Sequence, residues 1–220
     1  MYKTKCSRCG CEVTADNLYC PQCGAENVVA DISIPYDKLS DEVTLSLNML
    51  DNMVGIESVK KELHDIVEFV KMDSIRTRMM GYPSRFPRKY MFVGNPSTGR
   101  TTVARLLASI LHGLGVLPKD KMITAWSRSL VAGDVEKCRA KVRNTFDSAR
   151  GGVLFIDDIH LLDNVNNNAV AATIDELMRQ LPLYDDMLCI VSGTPSEMKH
   201  LCDVYPTLRS YFDRELIFER

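Results

Sequence analysis

Residues 94–102 read Gly94-Asn95-Pro96-Ser97-Thr98-Gly99-Arg100-Thr101-Thr102. Two glycines bracket four residues, and a cation and a hydroxyl follow. A loop of this kind curls its backbone N–H groups around phosphate oxygens, and a helix starting at its end adds a favourable dipole. The spacing is that of a P-loop, G-x4-G-K-[ST], with arginine in the lysine position. Arg100 keeps the charge, but a wide planar guanidinium does not simply occupy an ammonium's place. Thr101 can set its hydroxyl on a magnesium ion. A second chemical group follows the apolar run Val153-Leu154-Phe155-Ile156, at Asp157-Asp158. A carboxylate at such a strand tip holds magnesium through its water shell. Asp157 is therefore read as a magnesium residue beside Thr101, and Asp158, with Arg100, as catalytic. Loop and carboxylates together predict a site for ATP with magnesium.

A different chemistry is written at the N-terminus. Cys6-x2-Cys9 and Cys20-x2-Cys23 form two pairs separated by ten residues, each with a glycine just after it, Gly10 and Gly24. Two-residue gaps let a tight turn aim two sulfurs at one ion, and two such turns complete a zinc tetrahedron. A block this short, well under about 40 residues, rarely folds without a metal or crosslink. The reading is a structural zinc ribbon over residues 1–27, coordinatively closed and without chemistry of its own. Cys11 is a surplus thiol that could compete with Cys9. Cys138, Cys189 and Cys202 are scattered among apolar or helical residues.

The elements that must position these groups follow from hydrophobic spacing. Ile56, Val59, Leu63, Ile66, Val67 and Val70 recur at gaps of three and four, which is one helical stripe. Tyr90–Val93 is a short buried strand ahead of the loop. Val103, Leu106, Leu107, Ile110 and Leu111 mark the helix after it. Strands are expected at 121–126, 152–156, 187–191 and 215–218, and helices at 134–149 and around Val170–Leu181. Strand and helix alternate, so the fold class is α/β, a parallel sheet flanked by helices. Residues 28–47, with Pro35 and mixed polarity, read as a linker packing in part on the second domain, which spans 48–220.

Composition excludes several functions. The chain has 220 residues, 45% hydrophobic and 25% charged, with 27 basic and 29 acidic side chains giving a net charge of -2. No global field draws nucleic acid or anionic lipid. The run Lys137, Arg139, Lys141 and Arg143 reads as a solvated helix face. No window approaches the ~18 apolar residues of a membrane span. Met1-Tyr-Lys-Thr-Lys-Cys6 lacks an apolar signal region, so a cytoplasmic location is expected. His64, His112, His160 and His200 lie far apart in sequence. His160 reads as a surface residue and Trp126 as a packed one.

With these residues in view, 48–220 resembles an AAA+ P-loop NTPase module of the group containing the stage V sporulation protein K and red-type rubisco activase. Met53-Val54-Gly55-Ile56 through Lys61 is similar to that group's opening motif, and the resemblance implies that Val54 and Gly55 lie against adenine. Gly94–Leu107 resembles its phosphate loop and helix, Gly151–Asp157 its Walker B strand, and Leu208-Arg209-Ser210 the run near its arginine finger. The resemblance implies a Walker B strand lying beside the P-loop strand.

The departures are equally specific. Arg100 replaces lysine, and Ser97 replaces a glycine, acceptable if its φ is negative. Asp158 replaces glutamate, shortening its reach by about 1.5 Å. Tyr211 stands at the finger arginine, where a missing arginine costs ~10³–10⁵ in related enzymes. Arg209 matches the neighbouring family arginine. Thr194 falls at a sensor position. Ser129–Asp134 lacks the pore aromatic, and no helical lid precedes Arg220, so ring assembly is not expected. The leading expectation is a degenerate module that binds ATP, turns it over weakly or not at all, and acts as scaffold or regulator of a protein partner such as a related ATPase. The alternatives are an active ATPase that remodels proteins and a zinc-ribbon nucleic-acid adaptor.

Overall fold

The computed structural model describes residues 3–5, 9–14, 22–23, 40–80, 86–162 and 167–219. Near the N-terminus two short strands, β1 (Lys3–Lys5) and β2 (Glu12–Thr14), pair antiparallel, with Lys3 opposite Thr14. Cys9, Gly10 and Cys11 lie on the loop between them. Cys6 and Cys20 lie outside the described residues, and most of the expected linker does too. Residues 41–47 of that linker are instead the start of a helix, α1 (Asp41–Asp51). Ser40 caps it, its side chain accepting from the Val43 amide at 3.3 Å, and acidic Asp41 and Glu42 complement the dipole. Val43, Leu47 and Leu50 are buried. A Cβ at Gly113 would stand 2.4 Å from Val43 Cγ2, so α1 packs closely on the end of α3 (Arg100–Gly113).

The remaining elements follow the expected alternation. They are α2 (Glu57–Met80), β3 (Lys89–Gly94), α3, β4 (Met122–Trp126), α4 (Ser127–Leu130), α5 (Val135–Ala149) and β5 (Val153–Asp157). A 3-10 turn at Ile159–Leu162 leads to α6 (Asn168–Gln180), then come β6 (Leu188–Gly193), α7 (Pro195–Val204), α8 (Pro206–Arg209) and β7 (Arg214–Phe218). Asp134 and Asn167 cap α5 and α6 through their side chains.

All five strands of the large sheet run parallel, in the order β4-β5-β6-β3-β7. This corrects one expectation. The Walker B strand β5 does not lie beside the P-loop strand β3, because β6 is inserted between them. Alternation along the strands builds two cores. Tyr90, Phe92, Val153, Phe155, Leu188, Ile190, Leu216 and Phe218 face α1, α2 and α3. Met91, Val93, Leu154, Ile156, Cys189 and Val191 face α5, α6 and α7. Both faces are covered, which is why the central strands are apolar at consecutive positions. Phe92 anchors the first core, with ring centroids 6.5 Å from Phe155 and 5.1 Å from Phe218. Truncating such a buried phenylalanine to alanine costs about 3–5 kcal/mol. Cys189 is a buried core residue, and burial pushes its thiol up to about 12. Among the described residues no helix is long and apolar enough to cross a membrane.

Candidate functional site

Parallel α/β sheets place their working loops at the carboxyl ends of the strands. The loops after β3, β4 and β5 meet there. The P-loop leaves β3 at Gly94. A Cβ at this position would stand 2.6 Å from Phe218 Cβ and 3.0 Å from the Phe218 carbonyl oxygen, so only hydrogen fits. Thr98 Oγ1 donates to the Asn95 carbonyl at 2.8 Å and ties the loop together. Gly99 caps α3 at φ +91, the left-handed region that glycine enters freely. Ser97 is also left-handed, at φ +64. The condition for easy acceptance of serine, a negative φ, is therefore not met. The loop turns the same way a glycine would, and the serine carries a strain of about 1–2 kcal/mol.

The loop borders a cleft of about 430 Å³, which Pro96, Arg100, Thr101 and Thr102 line from one side and Trp126, Asp157 and Asp158 from the other. The structure thus brings together the two halves predicted from sequence, even though β6 separates their strands. Arg100 is only 8% exposed, and its Nη2 lies 3.8 Å from Asp157 Oδ1 and 3.7 Å from Asp158 Oδ1. These are ion-pair distances, too long for hydrogen bonds. Its Nη1 is buried without a hydrogen-bond partner among the described residues. Asp157 Oδ1 accepts from the Ser192 hydroxyl of β6 and from the Asp158 amide at 3.0 Å. Asp158 turns left-handed at φ +52, and its carbonyl accepts from Ser127 Oγ at 2.6 Å. Strain of this kind persists where the surroundings over-determine it.

The opening motif reaches the same loop. The Met53 side chain lies over Gly99, its Cε 2.6 Å from where a Cβ would be. Gly55 and Ile56 are both left-handed, at φ 75 and 55, and Val54 is 99% exposed. The segment assigned to adenine is therefore beside the phosphate loop, with Val54 open to solvent.

Other expected residues are placed elsewhere. Arg209 Nη2 pairs with Glu215 at 2.9 Å and borders a separate, largely apolar groove with Met91, Met198 and Ile217, not the cleft. Tyr211 packs against the second core. Thr194 donates its hydroxyl to Glu197. His160 is not a surface residue. Its side chain is 14% exposed and its Nε2 lies 3.3 Å from Glu197 Oε1. Trp126 is not packed but 57% exposed on the cleft wall, in register with Asp157. The basic run on α5 is largely taken up within the chain. Arg139 pairs with Glu136 at 3.0 Å, Lys141 donates to the Ser129 carbonyl at 3.0 Å, and Arg143 pairs with Glu176 at 2.7 Å.

Ser192 and Ser127 escaped the sequence reading. The available signal was a hydroxyl following the apolar Leu188-Cys-Ile-Val191 run at the same sheet end as the loop.

At the N-terminal hairpin Cys9 Sγ lies 3.4 Å from Cys11 Sγ. Cys6 and Cys20 are outside the described residues, so the four-cysteine set is not seen together. Among the described residues no group of three or more His, Cys, Asp or Glu side chains gathers as a metal site.

Sheet, loop and carboxylate pair define a P-loop nucleotide-binding module. Residues 90–220 match the model of the ATPase family associated with various cellular activities (AAA), and the chain belongs to that family. Membership implies ATP with magnesium as the ligand pair. The chain is 32% identical over 198 residues to the ESX-1 secretion system protein EccA1 of Mycolicibacterium smegmatis, a match covering 88% of this chain and 34% of the relative. It is 32% identical over 162 residues to the chloroplastic ribulose bisphosphate carboxylase/oxygenase activase of Cyanidioschyzon merolae, covering 72% and 55%. The chain thus spans about a third of the secretion-system protein and about half of the activase. The crystal structure of the FIGL-1 AAA domain in complex with ADP has the same fold, at a TM-score of 0.53 and 22% identity over 76% of this chain and 56% of that one.

Proposed function

We propose that the chain is a nucleotide-binding AAA+ module with weak turnover or none, working as scaffold or regulator of a protein partner. The observation that carries the reading is Arg100. A buried guanidinium with an unpartnered nitrogen on a cleft walled by a P-loop fits a phosphate oxygen, which would complete its hydrogen bonding. Backbone N–H groups of residues 97–101 would bind the phosphates, and Val54 and Gly55 would border the base.

The weak turnover is argued from the residues that would do the chemistry. Asp158 is the carboxylate on the cleft available as a base, and Arg100 stands against it. An ion-paired aspartate one bond shorter than glutamate is poorly placed to order an attacking water, and misplacement of about 1 Å can cost ~100-fold. Arg209 is held by Glu215, so it is not free to act as a finger toward a neighbour. A scaffold among proteins is supported by the relatives' names, one a secretion system protein and one an enzyme activase. The closer assignment, to the sporulation protein K and red-type activase group, rests on the opening motif and the Leu208-Arg209-Ser210 run. Cytoplasmic location is proposed with it.

We also propose that Cys6, Cys9, Cys20 and Cys23 hold one structural zinc. The donor set is four thiolates at two x2 spacings, and the β1–β2 hairpin closes the first pair's loop. Metal analysis should give one zinc per chain, lost on Cys23→Ser; a metal-free wild-type chain that is still folded would overturn it. For the cleft, calorimetry with ATP should show binding while phosphate release stays near background. Rapid release abolished by Asp157→Ala would favour the active remodelling enzyme instead.

A further inference from the structure

We infer that Arg100 is a built-in counter-cation for Asp157 and Asp158, so that this chain holds a nucleoside triphosphate without needing magnesium. The inference rests on the nucleotide reading above and deepens it. The guanidinium lies 3.8 Å from one carboxylate and 3.7 Å from the other, and all three side chains line the cleft that Thr101 also borders. At 8% exposure the charge is little screened, and like charges repel strongly in such a setting. A magnesium ion between Thr101 and Asp157 would have to settle beside it.

The acceptor side is crowded as well. Asp157 Oδ1 already takes the Ser192 hydroxyl and the Asp158 amide, and the same oxygen faces Arg100. Magnesium gives up its waters reluctantly and binds through ordered shells, so those waters need free acceptors. On Asp157 that oxygen is already committed. The expected magnesium residues therefore do not fit the ion while Arg100 holds this position.

A guanidinium can take over both tasks that lysine and the ion divide. One edge of its fork faces the carboxylates, and the unpartnered Nη1 remains for a phosphate oxygen. A lysine's ammonium has donors in three directions but a single nitrogen, which cannot stand at both places, leaving Asp157 for a hydrated ion.

The test is a titration of the full chain with labelled ATP by equilibrium dialysis, with and without millimolar magnesium. Buffers are freed of divalent ions by a chelating resin, which keeps the chelator out of the protein solution. The wild-type affinity should change less than about threefold between the two conditions. Arg100→Lys should introduce a dependence of roughly tenfold or more. A wild-type chain that loses tenfold without magnesium overturns the inference alone. A folded Arg100→Lys variant that stays indifferent to the ion overturns the role given to Arg100. Absence of binding in either buffer overturns the nucleotide reading and this inference with it. The wild-type comparison decides the central point even if the variant does not fold.

Discussion

The hydroxyl of Ser192, on β6, is donated to Asp157 Oδ1 at the tip of β5. Both residues are buried, Ser192 completely. This bond spans the strand pair that separates the two halves of the cleft, since Ser192 is also in register with Phe92 of β3. It holds the Walker B carboxylate at a fixed distance from the loop. Ser192→Ala removes one of the bonds Asp157 Oδ1 accepts and leaves the Asp158 amide. Losing a buried donor to a charged acceptor costs about 1–3 kcal/mol. Urea unfolding should show that loss, and ATP affinity should fall with it. A variant as stable and as tightly binding as the wild type would show that Asp157 needs no such anchor.

Trp126 is the chain's one tryptophan, and it stands half exposed on the cleft wall. Its emission therefore reports on that cleft. ATP or ADP at saturating concentration should shift or quench it, with a midpoint matching calorimetry. Calorimetric binding with an unchanged spectrum would place the nucleotide somewhere else.

Ser97 predicts a gain of function. Its left-handed backbone costs about 1–2 kcal/mol, which glycine avoids. Glycine gives back about 0.4–1 kcal/mol through a looser unfolded chain. Ser97→Gly should therefore raise stability by about 0.5–1 kcal/mol, or a few degrees in Tm for a chain of this size. ATP affinity should rise too, since the loop amides are freer to close on phosphate. A lower Tm would mean that the serine side chain contributes contacts the backbone argument ignores.

Glu176 supplies a pH dependence remote from the cleft. It is 1% exposed on α6, and it accepts from Arg143 Nε at 2.7 Å and from Gln180 Nε2 at 2.6 Å. The Arg143 hydrogen bond, first, and the Gln180 bond hold its carboxyl below the ordinary 4.5 against the opposing effect of burial. A depressed carboxylate pKa means a contribution present in full above the unfolded value and lost as pH falls through the folded one. Wild type should exceed Glu176→Gln in stability by about 1–3 kcal/mol at neutral pH. That margin should shrink below about pH 4. Parallel melting curves from pH 7 to pH 3.5 check it, and a margin constant over the range would rule the ion pair out as its source.

Much of the molecule was legible because its signals are local. Tyr90–Val93 and Val153–Ile156 are apolar at successive positions, as strands covered on both faces must be, and the loop between Gly94 and Thr102 follows from its own spacing. Strand order was read wrongly, although a clue existed. Leu188–Gly193 is buried throughout, as an inner strand is, whereas β4 carries Thr124 and Trp126 in the open, as an edge strand can. Trp126 and His160 were misjudged for a related reason. Trp126 ends a strand and His160 follows one, where burial is decided by what other segments bring. Glu197 of α7 faces His160, which also borders Gly193 of β6, and nothing in the Asp157-Asp158-Ile159-His160 stretch announces them.

The close approach of Gly94 to Phe218 has a mechanical meaning. The outermost strand of the sheet and the first turn of the phosphate loop share one seat with no slack between them. A displacement of β7 toward the loop meets Gly94 first, because that residue pairs in register with Phe218 and leaves no room for a side chain between them. The sheet's free edge and the grip on a ligand's phosphates are thereby set as a single adjustment.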